Sequence, residues 1–158
     1  MYKIFKYSAI LTLFFATSCE KNLPTIGGTA SEKIANEWWV TLKANGEDLY
    51  GTHLKIATYN TSANNSEIWV DDYHNVWDFK VKAQADLNAL TFNALGQKNE
   101  YYDITVDLKN GKILPKAGLS KSGNVTDSIY MEAAFSDDPT TTYTISGHAR
   151  TRFIEDEY

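Results

Sequence analysis

The chain predicts an all-β fold, an antiparallel up-and-down meander of eight or nine strands that curls into a barrel. Three observations predict it. Apolar and polar residues alternate at period two in separate runs over 49–59, 77–83, 104–109, 125–135 and 143–153, the spacing of strands with one buried face. Turn signals fall between runs: Asn45-Gly46 and Asn110-Gly111 suit tight hairpins, and Ser136-Asp137-Asp138-Pro139 separates the last two strands. No stretch sustains a 3.6-residue period. Consecutive strands joined by short turns favour a barrel, with a two-layer sandwich as the alternative.

The elements follow in order. Residues 1–18 carry Lys3 and Lys6, an apolar run from Ala9 to Ala16, and small residues up to Ser18, the layout of a secretory signal. The run is well short of the ~20 residues that span a bilayer. Cys19, the only cysteine, directly follows, and the sequence looks like a bacterial lipobox cut between Ser18 and Cys19. A thiolate is the nucleophile that takes the first lipid, so the expectation is a palmitate-type acylated lipoprotein anchored in the cell envelope, in the outer membrane. Each buried methylene contributes roughly 0.8 kcal/mol, so two or three acyl chains hold such a protein firmly.

Residues 19–36 hold Pro24, Gly27 and Gly28 and no sustained period, and read as a flexible tether. The barrel domain is expected over 37–158. Its first strand carries Trp38 and Trp39, which must face opposite sides. The run at 49–59 sets Leu54 and Ile56 against His53, Lys55 and Tyr59. In 77–83, Trp77, Phe79 and Val81 alternate with Asp78, Lys80 and Lys82. The stretch 83–95 fits either a helix face through Leu87, Leu90 and Leu95 or, as preferred here, a strand after a turn, with Leu90, Phe92 and Ala94 on one side. Ile129, Met131, Ala133 and Phe135 share a face in 125–135, as do Ile145, Gly147 and Ala149 in 143–153.

Charge and composition exclude some roles. The full chain carries a formal charge of −5. Without residues 1–18 there remain 140 residues (158 less 18) with 13 basic and 20 acidic side chains, and no Lys/Arg cluster suggests nucleic acid as a partner. Nothing in the pattern indicates an oligomeric state. Gly118-Leu119-Ser120-Lys121-Ser122-Gly123 departs from a serine-hydrolase elbow at its fifth position, and no helix follows. His53, His74 and His148 are isolated, so no metal site and no cofactor is expected. No catalytic residue is assigned. Asp71-Asp72-Tyr73-His74-Asn75, between Trp69 and Trp77, is expected to be a solvated rim loop.

An eight-stranded barrel is either filled by its side chains or lined around one small ligand. Small Gly147 and Ala149 beside large aromatics leave room for a cavity as well as for a packed core. The candidate lining of an apolar or lipidic site is Trp77, Phe79, Val81, Ile129, Met131, Phe135 and Ile145. The alternatives are a glycan- or protein-binding surface of exposed aromatics (Trp38, Trp39, Trp69) and rim loops, and a hydrolase whose site has no visible motif.

The lipobox, the tether, Glu37-Trp38-Trp39-Val40, Ile68-Trp69-Val70-Asp71-Asp72, the run from Trp77 to Lys82, and Ser146-Gly147-His148-Ala149-Arg150-Thr151-Arg152-Phe153 before an acidic tail together resemble the small bacterial lipoproteins described as lipid-binding putative hydrolases. The resemblance spans roughly residues 37–156 and implies a calycin-like barrel of the lipocalin kind. Ala149 and Arg152 depart from the basic residue and the glycine of that closing strand, so no site is carried over to it.

Overall fold

A computed structural model describes residues 28–158. The expected signal segment, Ser18, Cys19 and the tether as far as residue 27 lie outside the described residues. The sheet contains β1 (Asn36–Ala44), β2 (Glu47–Asp48), β3 (Leu54–Asn60), β4 (Glu67–Asp71), β5 (Lys80–Asp86), β6 (Thr91–Lys98), β7 (Thr105–Leu119), β8 (Val125–Phe135) and β9 (Asp138–Ala149). All pairings are antiparallel. β1 pairs with β3, each later strand pairs with its successor, and β9 returns to β1 from Trp38↔Ala149 to Ala44↔Tyr143. That closure makes an eight-stranded barrel with β2 as a short extra strand, and it rules out the sandwich. β2 and β3 share one edge of β1. The register passes from Lys43↔Asp48 to Val40↔Leu54, so residues 49–53 bulge from the wall.

Alternation delivers the core. Val40 and Leu42, Ile68 and Val70, and Ile129 with Met131 are wholly buried in one cluster that fills the barrel. Of the two adjacent tryptophans, Trp38 points inward and its Nε1 donates to Thr58 Oγ1 at 2.9 Å. Trp39 points outward and is covered by the chain's last segment, with Tyr158 set edge-on at 5.5 Å. Thr58 Oγ1 in turn donates to the Ile34 carbonyl. Ser31 and Ile34 are fully buried, so residues 28–36, the described part of the segment read as a tether, pack against the barrel. A buried isoleucine plugs the barrel end where β1 starts.

Several boundaries differ from expectation, each for a local reason. Asn45-Gly46 makes the hairpin turn with both residues at positive φ. Asn110-Gly111 does not; it is a bulge inside β7, where the register slips between Lys109 and Lys112. A Cβ on Gly111 would strike the Phe92 carbonyl oxygen at 2.4 Å and its ring at 2.6 Å, so this glycine admits the close approach of Phe92, backbone and side chain, from β6. Phe135 pairs with Asp138, so the last hairpin turns at Ser136-Asp137 and Pro139 already lies in β9. The ambiguous 83–95 stretch is the end of β5, a turn at 87–90 with Leu90 at positive φ, and β6. β9 ends at Ala149, and Arg150 to Phe153 leave the sheet. Trp77 and Phe79 precede β5 and belong to a loop.

The barrel therefore has two distinct ends. Turn 45–46, loops 72–79 and 99–104, and turn 136–137 gather at one end. The entry segment 28–35, loop 61–66, turns 87–90 and 120–124, and the tail 150–158 gather at the other.

Candidate functional site

The loop 72–79 closes the first end, and Asp72 shapes it. This carboxylate is fully buried and accepts four backbone N–H groups: His74 (2.9 Å) and Phe79 (3.0 Å) on Oδ1, Val76 (3.1 Å) and Trp77 (2.7 Å) on Oδ2. Burial pushes its carboxyl above the ordinary value against these four donors, which pull it down. Tyr73, His74 and Asp78 take positive φ, a sharp path that the carboxylate holds together. The stretch 71–75, expected to be solvated at a rim, divides: Tyr73, His74 and Asn75 are exposed, and Asp71 and Asp72 are buried. Beyond it Val76 and Phe79 enter the core, and Trp77 lies flat on Phe135 with ring centroids 4.7 Å apart and planes 8° from parallel.

All seven predicted lining residues are in the interior and form successive tiers. Trp77 is outermost and half-buried; Phe135 and Phe79 lie next, with their rings 5.6 Å apart. Met131 pairs across the β8–β9 ladder with Ile145, and Ile129 lies deeper still. Val81 faces inward beside Val70. The six beneath Trp77 are packed against one another as core. Gly147 does not open a cavity: a Cβ there would lie 2.7 Å from the Cα of Val40, so the glycine lets β1 and β9 close the barrel. Ala149 is buried in the same cluster.

Outside Trp77 lies a groove of about 330 Å³ bounded by Tyr50, His74, Asn75, Val76, Asp78, Tyr102 and Asp137. Few polar ties cross it. Tyr50 Oη donates to the Val76 carbonyl at 2.9 Å, and Trp77 Nε1 donates to Asp137 Oδ1 at 3.2 Å. Burial, followed by the hydrogen bond to Asp137, pushes the Tyr102 hydroxyl up to about 12. A second groove, about 310 Å³, lies where β5 and β6 separate, between Glu67, Lys82 and Gln84 on one side and Asn93, Ala94, Leu95 and Gln97 of β6 on the other.

On the outer wall Asp71 is almost wholly buried under two tyrosines. Its oxygens accept from Tyr59 and Tyr101 hydroxyls, each at 2.6 Å, and from the Tyr73 N–H at 3.0 Å, with Lys80 Nζ 3.4 Å away. Burial raises its carboxyl, but these hydrogen bonds and the ammonium outweigh it and leave the group below its ordinary value. Both phenols move the other way, first by burial and then by their bond to the carboxylate. A general acid or base works best near the operating pH, and these groups are held away from it. Trp69, half-buried on the same wall, has Lys80 and Lys82 ammoniums 5.1 and 5.3 Å from its ring.

The sequence pattern of the family described as "lipid-binding putative hydrolase" matches residues 23–154. The chain belongs to this family. Membership and the closed barrel together support a lipid-binding role. No curated protein matches the chain. Within this barrel, sequence reasoning found the interior tiers but gave no structural role to Asp72, Val76, Tyr143 or Asn99. Tyr143 packs its ring 4.9 Å from Trp77. Asn99 receives the Lys80 N–H at 2.8 Å and gives its amide to the Asp78 carbonyl at 2.9 Å, which fixes the loop's exit. The available signal was two adjacent acids preceding a Trp-x-Phe step, since neighbours on a strand point to opposite faces.

Proposed function

We propose that the chain is an envelope lipoprotein, held by acyl chains on Cys19 in the outer membrane, whose barrel takes one small apolar or lipidic ligand at the mouth closed by Trp77. The observation that carries this reading is the state of that mouth. Trp77 is the one member of the seven-residue set left half-buried, and its indole is tied to the barrel by a single hydrogen bond, 3.2 Å long, to an exposed carboxylate. Beneath it the other six side chains are packed as core, so a ligand would take the place of the indole itself. An acyl terminus that displaced the indole would meet the Phe135 and Tyr143 rings it now packs against and would replace one set of apolar contacts with another.

Energy transfer to a dansyl fatty acid tests the reading. Bound probe should quench tryptophan emission in the wild-type chain, and Trp77→Phe should remove most of that transfer while Trp69→Phe leaves it. Absence of binding by the wild type, or transfer insensitive to Trp77, would refute an interior site. Trp69, flanked by two lysines on the outer wall, supports the second reading, a glycan- or protein-binding surface. Trp38 is interior and Trp39 is covered, so Trp69 is the aromatic of the original three that remains available for it. Loss of glycan retention in Trp69→Ala would mark that outcome.

A further inference from the structure

We propose that the barrel end opposite the Trp77 mouth is the face on which the domain rests against the lipid bilayer, with Leu119, Val125, Phe153 and Ile154 seated among the headgroups. The inference rests on the anchor proposed at Cys19. Scattered exposed apolar residues are ordinary, but a group gathered on one rim is not. Leu119 and Val125 form a cross-strand pair next to turn 120–124, and are 63% and 65% exposed; Phe153 and Ile154 in the tail are 58% and 89% exposed. The two pairs form one surface, because the Ser122 N–H donates to Asp156 Oδ1 at 2.7 Å and Lys121 Nζ donates to the Glu157 carbonyl at 2.8 Å. Asp156 is fully buried and also accepts from the Thr151 hydroxyl at 2.6 Å, so the tail bearing Phe153 and Ile154 is fastened in place.

Two observations specify a bilayer as the occupant. First, the described chain enters at this end: the Ala30 N–H donates to Asn64 of loop 61–66, and Ile34 plugs the barrel beside it. Eight residues lie between Cys19 and Gly28, so the two are at most about 32 Å apart, and an acylated Cys19 keeps this rim close to the membrane. Second, the ends differ in charge. The opposite end exposes Glu47, Asp48, Asp78, Glu100, Asp103 and Asp137, and loops 45–53, 72–79, 99–104 and 136–138 contain no Lys or Arg. An anionic leaflet repels that end and turns it outward. The apolar rim is mixed in charge, with exposed Lys33, Lys116, Lys121 and Arg152 beside exposed Glu32, Asp86 and Glu155, and the basic stems can lie on apolar surface while their charges reach phosphates.

Full-length acylated protein in vesicles of phosphatidylethanolamine and phosphatidylglycerol tests this. Cys19 is the only native cysteine and is blocked when acylated, so Val125→Cys, Ile154→Cys and, at the acidic end, Asp103→Cys each accept one environment-sensitive dye. All three positions are exposed, so folding is preserved. Dye at 125 and 154 should shift to the blue and be quenched by lipid carrying a spin label in its acyl chain, while dye at 103 stays water-like. Water-like emission at 125 and 154 in chains that float with the vesicles would overturn the docking face. Dye uptake by the wild-type chain would instead refute the acylated Cys19, and with it the tether on which the docking depends.

Discussion

Replacing Asp72 by Asn tests whether one buried carboxylate organises the mouth. In the wild type each oxygen accepts two backbone N–H groups. Asn keeps one oxygen and turns an NH₂ toward the other two donors, so either Val76 and Trp77 or His74 and Phe79 lose their acceptor. A buried N–H left unsatisfied costs about 1 to 3 kcal/mol, so the gross loss is roughly 2 to 6 kcal/mol for the pair. The neutral amide also escapes the burial penalty that raises the carboxyl's pKa, which offsets part of that loss. The expected net destabilisation is about 3 kcal/mol. For a domain of this size it appears as a fall in Tm of roughly 10 °C. Urea and thermal unfolding followed by tryptophan emission measure it directly, and the emission should also move to the red as Trp77 leaves Phe135. A variant as stable as the wild type, with unchanged emission, would show that the four N–H groups do not depend on Asp72.

Four further substitutions and one titration address other parts of the account. Gly147→Ala should destabilise the barrel by more than about 3 kcal/mol, because the added methyl meets the β1 backbone and not a cavity; unchanged unfolding would restore the hollow reading at that position. Ile129→Ala should cost about 2 to 4 kcal/mol by urea unfolding, and Ser128→Ala, whose hydroxyl bonds the Gly147 carbonyl at 2.8 Å on the outer side, about 1 kcal/mol or less; equal costs would place the β8 register wrongly. Cys19→Ser should shift the protein out of the membrane fraction, or leave its signal uncut, without altering the melt of the barrel. Asp71 has a folded pKa below its ordinary value, so the stability it contributes is present above the unfolded value of 3.8 and is lost as pH falls through the folded value. Asp71→Asn should therefore flatten the acid limb of the stability curve measured below pH ~4, and an unchanged limb would assign that limb to other carboxylates.

Strand number, the interior face of β8 and the closing hairpin were legible in the sequence because alternation reports burial directly: 125–135 was read with the bounds the structure gives. The turns were less legible. Asn-Gly has the same local preference at 45–46 and at 110–111, but only the first joins strands; at the second, the Phe92 ring decides, a long-range contact that no local pattern contains. The mouth is less legible for a related reason. Five polar and aromatic residues in a row suggest solvent, yet Asp72 is paired with N–H groups from its own loop, so its burial depends on a fold of the backbone and not on composition. Trp39 is covered by Tyr158 of the tail, a contact between segments remote in sequence.

The arrangement of acids at 71 and 72 bears on how a ligand would enter. The two side chains leave the strand on opposite faces. Asp71 ties the loop's entry to Tyr59, Tyr101 and Lys80 outside, and Asp72 ties the loop to itself inside. Asn99 pins the exit. Movement of 72–79 as a unit would break Tyr50 to Val76, Asn75 to the Lys55 carbonyl, Trp77 to Asp137 and Asn99 to Asp78 and would draw Val76 and Phe79 out of the core, so the smaller movement is that of the Trp77 side chain alone, with the four bonds to Asp72 intact. The competing route is the seam between β5 and β6, whose ladder has three pairs, Gln84↔Asn93, Ala85↔Phe92 and Asp86↔Thr91. Its inner wall is Ala83 and Ala94, both buried, and Trp69 stands on β4 beside it, paired with Lys82. A ligand at the seam would take energy from Trp69 and one at the mouth from Trp77, so the two tryptophan variants that test for an interior site also identify its entrance.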